Sequence, residues 1–196
     1  MTEETVKREP EAAPATGSER VISIPQRCLV ALIGATSSGK STFASRHFAL
    51  TEILSSDQYR AIVADDPNDQ SVTGAAFETL HYVAGQRLKL GRLVVVDATS
   101  VKPQDRAALV RLAREHDVFP IAIVFDLEER LLRERNRGRP DRRLSERVIQ
   151  RHIQDLRRGL RGLAREGFRQ VSVIRSPEEA DVISITRERM WSDKTD

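Results

Sequence analysis

The sequence predicts an α/β fold: an open parallel sheet with helices on both faces and a phosphate-binding loop at one sheet edge. Three observations predict it. Short apolar runs alternate with helical patterns from residue 29 to about 185, the signature of strand–helix–strand units. The run 28–33, Cys-Leu-Val-Ala-Leu-Ile, is apolar throughout, as a strand buried on both faces must be. It leads directly into Gly34-Ala35-Thr36-Ser37-Ser38-Gly39-Lys40-Ser41-Thr42, which fits GxxxxGK[ST] at every fixed position.

Each element follows in turn. A helix-compatible segment, residues 41–48, comes after the loop. Strand, glycine loop and helix start aim backbone N–H groups and a positive helix end at one point. Gly34, Ser37, Ser38, Gly39, Lys40, Ser41 and Thr42 are therefore the expected nucleotide-binding residues. Lys40 is expected to reach the β- and γ-phosphates, and the Ser41 hydroxyl to hold Mg²⁺.

Residues 52–55 read as a weak second strand. Residues 65–73 form a polar loop punctuated by Pro67, Asn68 and Gly74. Phe77, Leu80, Ala84 and Leu88 fall at helical spacing, and Gly91 ends that helix. Residues 93–97, Leu-Val-Val-Val-Asp, are the clearest strand. A helix over 103–116 starts on a proline. Residues 119–125 form the next strand and 128–136 a helix. Residues 171–174 and 182–185 are late strands. Ligands in such sheets sit beyond the carboxyl ends of the strands.

Bulk properties narrow the function. The chain has 196 residues, enough for one domain with a sizeable core. A formal net charge of +3 argues against a strongly basic duplex binder but allows a local basic patch. One cysteine, Cys28, excludes an internal disulfide and reads as a small apolar residue. No stretch resembles a signal peptide or membrane span, so the expected setting is cytoplasmic with no membrane partner. Residues 1 to about 20 are rich in Glu, Ala, Pro and Thr without an apolar period, which predicts a disordered leader. We set the leader at 1–26, the domain at 27–187 and a C-terminal tail at 188–196.

Three further stretches carry candidate chemistry. Asp57 lies just past the second strand, facing the γ-phosphate position, where a carboxylate can take the proton of an attacking hydroxyl. Arg60, three residues on, is placed to hold an anionic part of the acceptor. The alternative is an Asp capping a short 58–63 helix beside a solvated Arg. Asp97 ends its strand beside the loop, either assisting the metal or capping the following turn. Residues 133–143 read Arg-Glu-Arg-Asn-Arg-Gly-Arg-Pro-Asp-Arg-Arg. Gly138 and Pro140 interrupt the helix, so this run is expected to be a mobile loop between two helices. We read it as a lid over the transferring phosphoryl group; the alternative is a soluble connector.

Over residues 145–164, Ile149, Ile153, Leu156, Leu160 and Leu163 make one apolar stripe. Arg147, Arg151, Arg158, Arg161 and Arg165 lie on the opposite side. We read a docked helix with a solvated basic face; the alternative is a track for a phosphate backbone. His81 and Tyr82 read as packing or surface residues, and the four histidines show no metal spacing.

With these residues on the page, the chain resembles the kinase module of bacterial polynucleotide kinase-phosphatases, enzymes of RNA end healing and sealing. The resemblance covers about residues 29–177. It rests on Gly-Lys-Ser-Thr-Phe-Ala after the loop, Ser-Ser-Asp57 with Arg60, and Asn68-Asp69-Gln70 with Val72-Thr73-Gly74-Ala75-Ala76-Phe77. It rests also on Val-Val-Asp97-Ala-Thr, Glu-Arg135-Asn with Asp141-Arg142, and Arg165-Glu-Gly-Phe-Arg169. The resemblance implies a P-loop NTPase-like fold with an arginine-rich helical lid. The implied activity is γ-phosphate transfer from ATP or another NTP, with Mg²⁺ or Mn²⁺, to the 5′-hydroxyl of a single-stranded RNA or DNA end. By the same resemblance, Lys40 and Ser41 serve phosphates and metal, and Asp57 is the general base. Arg60 meets the acceptor strand's phosphate, and Arg135, Arg139 and Arg142 are lid arginines on the donor phosphates. Ser37 stands where relatives carry another glycine, which predicts a stiffer loop. The long enzymes of that family continue into phosphatase and ligase domains, so this chain reads as an excised domain or a stand-alone kinase. The rival expectations are a small-molecule kinase and a non-catalytic, nucleotide-gated nucleic-acid binder.

Overall fold

The computed structural model describes residues 20–140 and 144–189. Residues 1–19 of the expected leader, 190–196 of the expected tail, and Asp141 and Arg142 of the expected lid lie outside the described residues.

Five strands form one parallel sheet in the order β3-β4-β2-β5-β6. They are β2 (Cys28–Gly34), β3 (Ile53–Ser55), β4 (Val94–Asp97), β5 (Phe119–Phe125) and β6 (Gln170–Ile174). Every residue of β2 is buried, and its two neighbours are the strands expected to be most apolar. The sheet's two faces bury alternate residues, as a pleated strand requires. Leu29, Ala31 and Ile33 face one core, together with Val94, Val96, Ala122 and Val124. Cys28, Val30 and Leu32 face the other, together with Val95, Ile121, Ile123 and Phe125.

Helices α1 (Lys40–His47), α2 (Ser56–Ala64), α3 (Thr73–Lys89), α4 (Pro103–Glu115), α5 (Glu129–Arg137), α6 (Glu146–Leu160) and α7 (Pro177–Val182) link and cover the strands. The chain leaves β2 toward β3 and β4 on one side and returns to β5 on the other. Such a reversal opens a crevice at the strands' carboxyl ends, and here it falls at the end of β2. The helix of α3 starts earlier than its apolar period, at Thr73. The preceding loop folds on itself, with Asp66 and Asp69 accepting from the Asn68 and Ser71 amides at 2.8 Å each.

Two expectations are corrected. Residues 20–25 do not belong to a disordered leader. They form β1 (Arg20–Pro25), which pairs in parallel with β7 (Ile183–Glu188) in a separate two-stranded sheet. Ile22 and Ile24 are 2% and 1% exposed, packed in the same core as α1 and β2. The late strand thus joins β1 rather than the main sheet. The arginine run also begins inside a helix. Arg133, Arg135 and Arg137 lie on α5, and only from Gly138 does the chain leave it.

Truncating Ile24 to Ala should lower stability by about 3 kcal/mol, because a buried side chain is deleted. Val21→Ala, on the exposed side of the same strand, should stay within about 0.5 kcal/mol. Equal shifts in denaturant midpoint for the two would refute the packed role of β1. Cys28 is buried, and desolvation pushes its thiol up to about 12. Native protein at pH 8 should therefore resist thiol reagents and react only on unfolding.

Candidate active site

The site is built from the carboxyl end of β2. Gly34 closes the strand where a side chain would not fit: a Cβ there would stand 2.9 Å from Ser38 Oγ and 3.0 Å from the Phe125 carbonyl oxygen. Gly39, with φ of 92°, turns the loop into α1. Ser37 adopts φ of 63°, the left-handed region that favours glycine, which explains why a glycine fits that position equally well. Lys40 is 7% exposed. Its ammonium donates to the Gly34 and Ala35 carbonyls at 3.0 and 2.8 Å and to Ser38 Oγ at 3.3 Å. The lysine thereby holds the loop's shape around its own charge. Ser41 and Thr42 begin α1 exposed and line the cleft.

That cleft has a volume of about 820 Å³ and is lined by the expected site residues among the described residues other than Gly34: Ser37 to Thr42, Asp57, Arg60, Asp97, Arg135 and Arg139. Strand register explains the convergence. Leu32 of β2 and Ser55 of β3 both stand level with Asp97 of β4. Asp97, Asp57 two residues beyond Ser55, and the loop therefore share one sheet edge. Asp97 is 6% exposed.

Asp57 sits in the first turn of α2, where the helix end favours a carboxylate. Arg60 ion-pairs with it and donates from Nε to the Pro67 carbonyl at 2.9 Å. The Arg60 side chain is only 4% exposed. Its first role in this geometry is to orient Asp57 and to tie α2 to the loop before α3. An acceptor anion would meet it only at the cleft surface.

Asn136, which is 2% exposed, ties the end of α5 to the chain before α6. Its side-chain amide donates to the Leu144 carbonyl at 2.9 Å and accepts from the Leu144 amide at 3.1 Å. Arg133 pairs with Glu129 and Glu146, bracing α5 against α6. Arg135 faces the other way. Its Nη1 lies 3.5 Å from the position a Cβ on Gly39 would take, directly over the phosphate loop. Arg139 reaches the same cleft.

Several cleft residues had no role assigned from sequence. Gln70, Thr73 and Phe77 line it from the segment running into α3, and Lys102 and Asp105 from the start of α4. Burial pushes the Asp105 carboxyl up, opposed by Lys102, Arg106 and His81. Burial likewise pushes His81 down, helped by Arg111 and opposed by Asp105. At the far end stand Pro177, Ala180 and Asp181 of α7, with Arg46 of α1 paired to Asp181 at 2.6 Å.

The least expected part is Arg106, with 0% exposure on the apolar side of α4. Its Nε and Nη2 donate to Glu166 at 2.6 Å each, a bidentate pair. Its Nη1 donates to the Ser100 and Val101 carbonyls at 3.1 and 2.6 Å. Two successive carbonyls converge on one nitrogen where Ser100 takes φ of 44°. The segment so held carries Thr99, Val101 and Lys102 into the cleft, and the Thr99 carbonyl accepts from the Gly34 amide at 3.0 Å. Gly159 of α6 leaves room for the guanidinium, since a Cβ there would lie 2.6 Å from Nη2. The signal was present: Arg106 falls in register with Leu109, Val110 and Ala113, where an unpaired charge does not belong.

For a metal, Ser41 and Asp97 offer a hydroxyl and a carboxylate among the oxygens lining the cleft. Among the described residues no group of three or more His, Cys, Asp or Glu could hold a metal ion. A hydroxyl and one carboxylate fit Mg²⁺, which keeps waters and substrate phosphates as its other ligands.

Comparison with known proteins agrees with this geometry. Residues 29–184 match the family described as AAA domain, and the chain belongs to that family. No curated protein matches it. Among solved structures, a chain of the Pnkp1/Rnl/Hen1 RNA repair complex superposes with a TM-score of 0.61 at 22% identity, covering 70% of this chain and 46% of that one. A chain of the AvrRxo1-ORF1:-ORF2 complex gives 0.59 at 16% identity, covering 77% and 55%. A protein provisionally described as a kinase, from Chloroflexus aurantiacus J-10-fl, gives 0.54 at 17%, covering 81% and 93%. At these identities the likeness is one of fold: a P-loop kinase-like parallel sheet flanked by helices.

Breaking the Arg106 clamp from one side should be costly, because it leaves a buried charge without its partner. Glu166→Ala should destabilise the protein by about 3 kcal/mol. Asp181→Ala, which breaks the exposed Arg46 pair, should cost less than about 1 kcal/mol. Thermal or chemical unfolding that ranks the two in the opposite order would overturn this reading.

Proposed function

We propose that this domain is a polynucleotide 5′-hydroxyl kinase that moves the γ-phosphate of ATP, or another NTP, to the 5′ end of an RNA or DNA strand. One observation carries the proposal. Asp57, oriented by Arg60, faces the same cleft as Lys40 and the arginines Arg135 and Arg139. A carboxylate and a set of cations thus flank one space, with the phosphate loop between them.

The chemistry follows from the residues. The loop amides and Lys40 hold the donor's β- and γ-phosphates. To do so Lys40 exchanges loop carbonyls for phosphate oxygens. Arg135 and Arg139 neutralise charge on the transferring group from above. Arg142 belongs to the same lid by its sequence. Asp57 takes the proton of the 5′-hydroxyl as its oxygen bonds to the γ-phosphorus. The bond from that phosphorus to the bridging oxygen breaks, and its electron pair leaves with the nucleoside diphosphate. Ser41 and Asp97 would hold Mg²⁺, which supplies charge neutralisation at the phosphates. The protein contributes chiefly position and charge.

The motif set shared with end-healing kinases supports a polynucleotide acceptor, as does the fold shared with a chain of an RNA repair complex. The acceptor half of the cleft adds Gln70, Thr73 and Phe77 as groups able to meet a nucleotide's polar and aromatic parts.

Asp57→Asn keeps the shape beside Arg60 and removes the base. It should lower kcat on a 5′-OH oligonucleotide by about 10²–10⁴-fold with little change in nucleotide affinity or melting temperature. Wild-type turnover in this variant would remove Asp57 from its role. Transfer to a sugar or nucleoside but not to oligonucleotide ends would replace the proposal with a small-molecule kinase.

A further inference from the structure

The two segments that flank the cleft, one contributing Gln70, Thr73 and Phe77 to its lining and the other Val148 and His152, differ in charge. On the α2–α3 side, Asp65, Asp66, Asp69 and Glu78 are present and no Lys or Arg occurs between residues 61 and 86. On the α6 side, residues 146–165 contain six arginines against Glu146 and Asp155. A polyanion leaving the cleft is favoured on the flank of α6 over the flank of α2 and α3.

The arginines of α6 are ordered. At 100° per residue, Arg147, Arg151, Gln154 and Arg158 fall within about 60° of one another. They make a row that rises about 17 Å along the helix. Val148 and His152, which line the cleft, lie about a quarter turn away. The row therefore runs along the cleft's rim. Arg147, Arg151 and Arg158 are exposed, and among the described residues none of the three makes an ion pair. Arg20, Arg46, Arg133 and Arg187 are each paired to a carboxylate. The opposite side of α6 is fixed in the core by Ile149, Ile153 and Leu156, so the row is held rigidly.

We propose that this row is the track for the acceptor strand: Arg147, Arg151 and Arg158 bind backbone phosphates of a single-stranded nucleic acid beyond the nucleotide in the cleft. Arg147 and Arg151 stand about 6 Å apart along the helix and Arg158 about 10 Å beyond Arg151, so the first two can meet adjacent phosphates of an extended strand and the third a phosphate further along. The contacts are to the backbone, so they carry no sequence preference. This assignment rests on the polynucleotide reading above and adds where the strand runs. It also reverses the simpler reading of the basic face as solvated surface.

The test compares wild type with R147Q/R151Q/R158Q on a 5′-OH 15-mer and on a nucleoside 3′-monophosphate, and measures fluorescence anisotropy of the 15-mer against salt. The wild type should favour the 15-mer in kcat/KM by at least about tenfold, and the variant should lose that ratio. The plot of log affinity against log salt should become shallower by about 2, from about 0.7 per phosphate contact on a single strand. Unchanged ratio and slope, with transfer intact, would overturn the track and leave the kinase reading standing. Absence of transfer to any acceptor, with the slope still reduced in the variant, would sink the kinase reading and keep the track. Binding of the row to anionic phospholipid vesicles but not to the 15-mer would overturn the track in favour of a membrane surface.

Discussion

The ammonium of Lys40 is the interaction on which the rest depends. It lies almost wholly buried at the end of the central strand and is satisfied by the carbonyls of Gly34 and Ala35. A buried charge of this kind demands partners, and the loop has the shape that provides them. Gly34 has no space for a side chain, and Gly39 has a backbone turn that disfavours one. A loop wound this way at the positive end of α1 is suited to bind an anion. The anion site is thus a by-product of folding the loop around its own lysine.

Around that point the sheet does the positioning. Parallel strands in register bring Asp97 level with both Leu32 and Ser55, so residues far apart in sequence reach one edge. Arginines then fix what the strands deliver. Arg60 holds Asp57, Arg106 holds the segment after β4, and Arg133 braces α5 against α6. Arg135 and Arg139 reach the cleft itself. The same residue type therefore serves as strut and as candidate phosphate contact. The extremes differ in burial: Arg60 and Arg106 are buried and Arg135 is exposed, while Arg133 and Arg139 are half-buried.

Much of this was legible in the chain. Strands β2, β4 and β5 are continuous apolar runs, which only a sheet covered on both faces requires, and their bounds agree closely with expectation. The loop was legible because its glycines and lysine stand at fixed spacing. Asp57 was legible from its place after a strand. The β1–β7 pair was not, because β1 alternates over a few residues beside a polar leader and its partner lies some 160 residues away. Arg106 was missed because an arginine is normally solvated, and its burial is tolerable through Glu166, 60 residues on, together with the Ser100 and Val101 carbonyls. The direction of Arg60 was also unreadable, since spacing places it beside Asp57 without saying that the two would pair.

The central claim is that a carboxylate and a phosphate loop face each other across a space that admits a nucleic-acid end. Its most direct test uses ATP labelled at the γ-phosphate and two strands of identical sequence, one ending in a 5′-hydroxyl and one in a 5′-phosphate. The account predicts that label passes to the 5′-hydroxyl strand alone and is removed from it by a phosphatase. Label on neither strand, while nucleotide binds and the protein is folded, would contradict it.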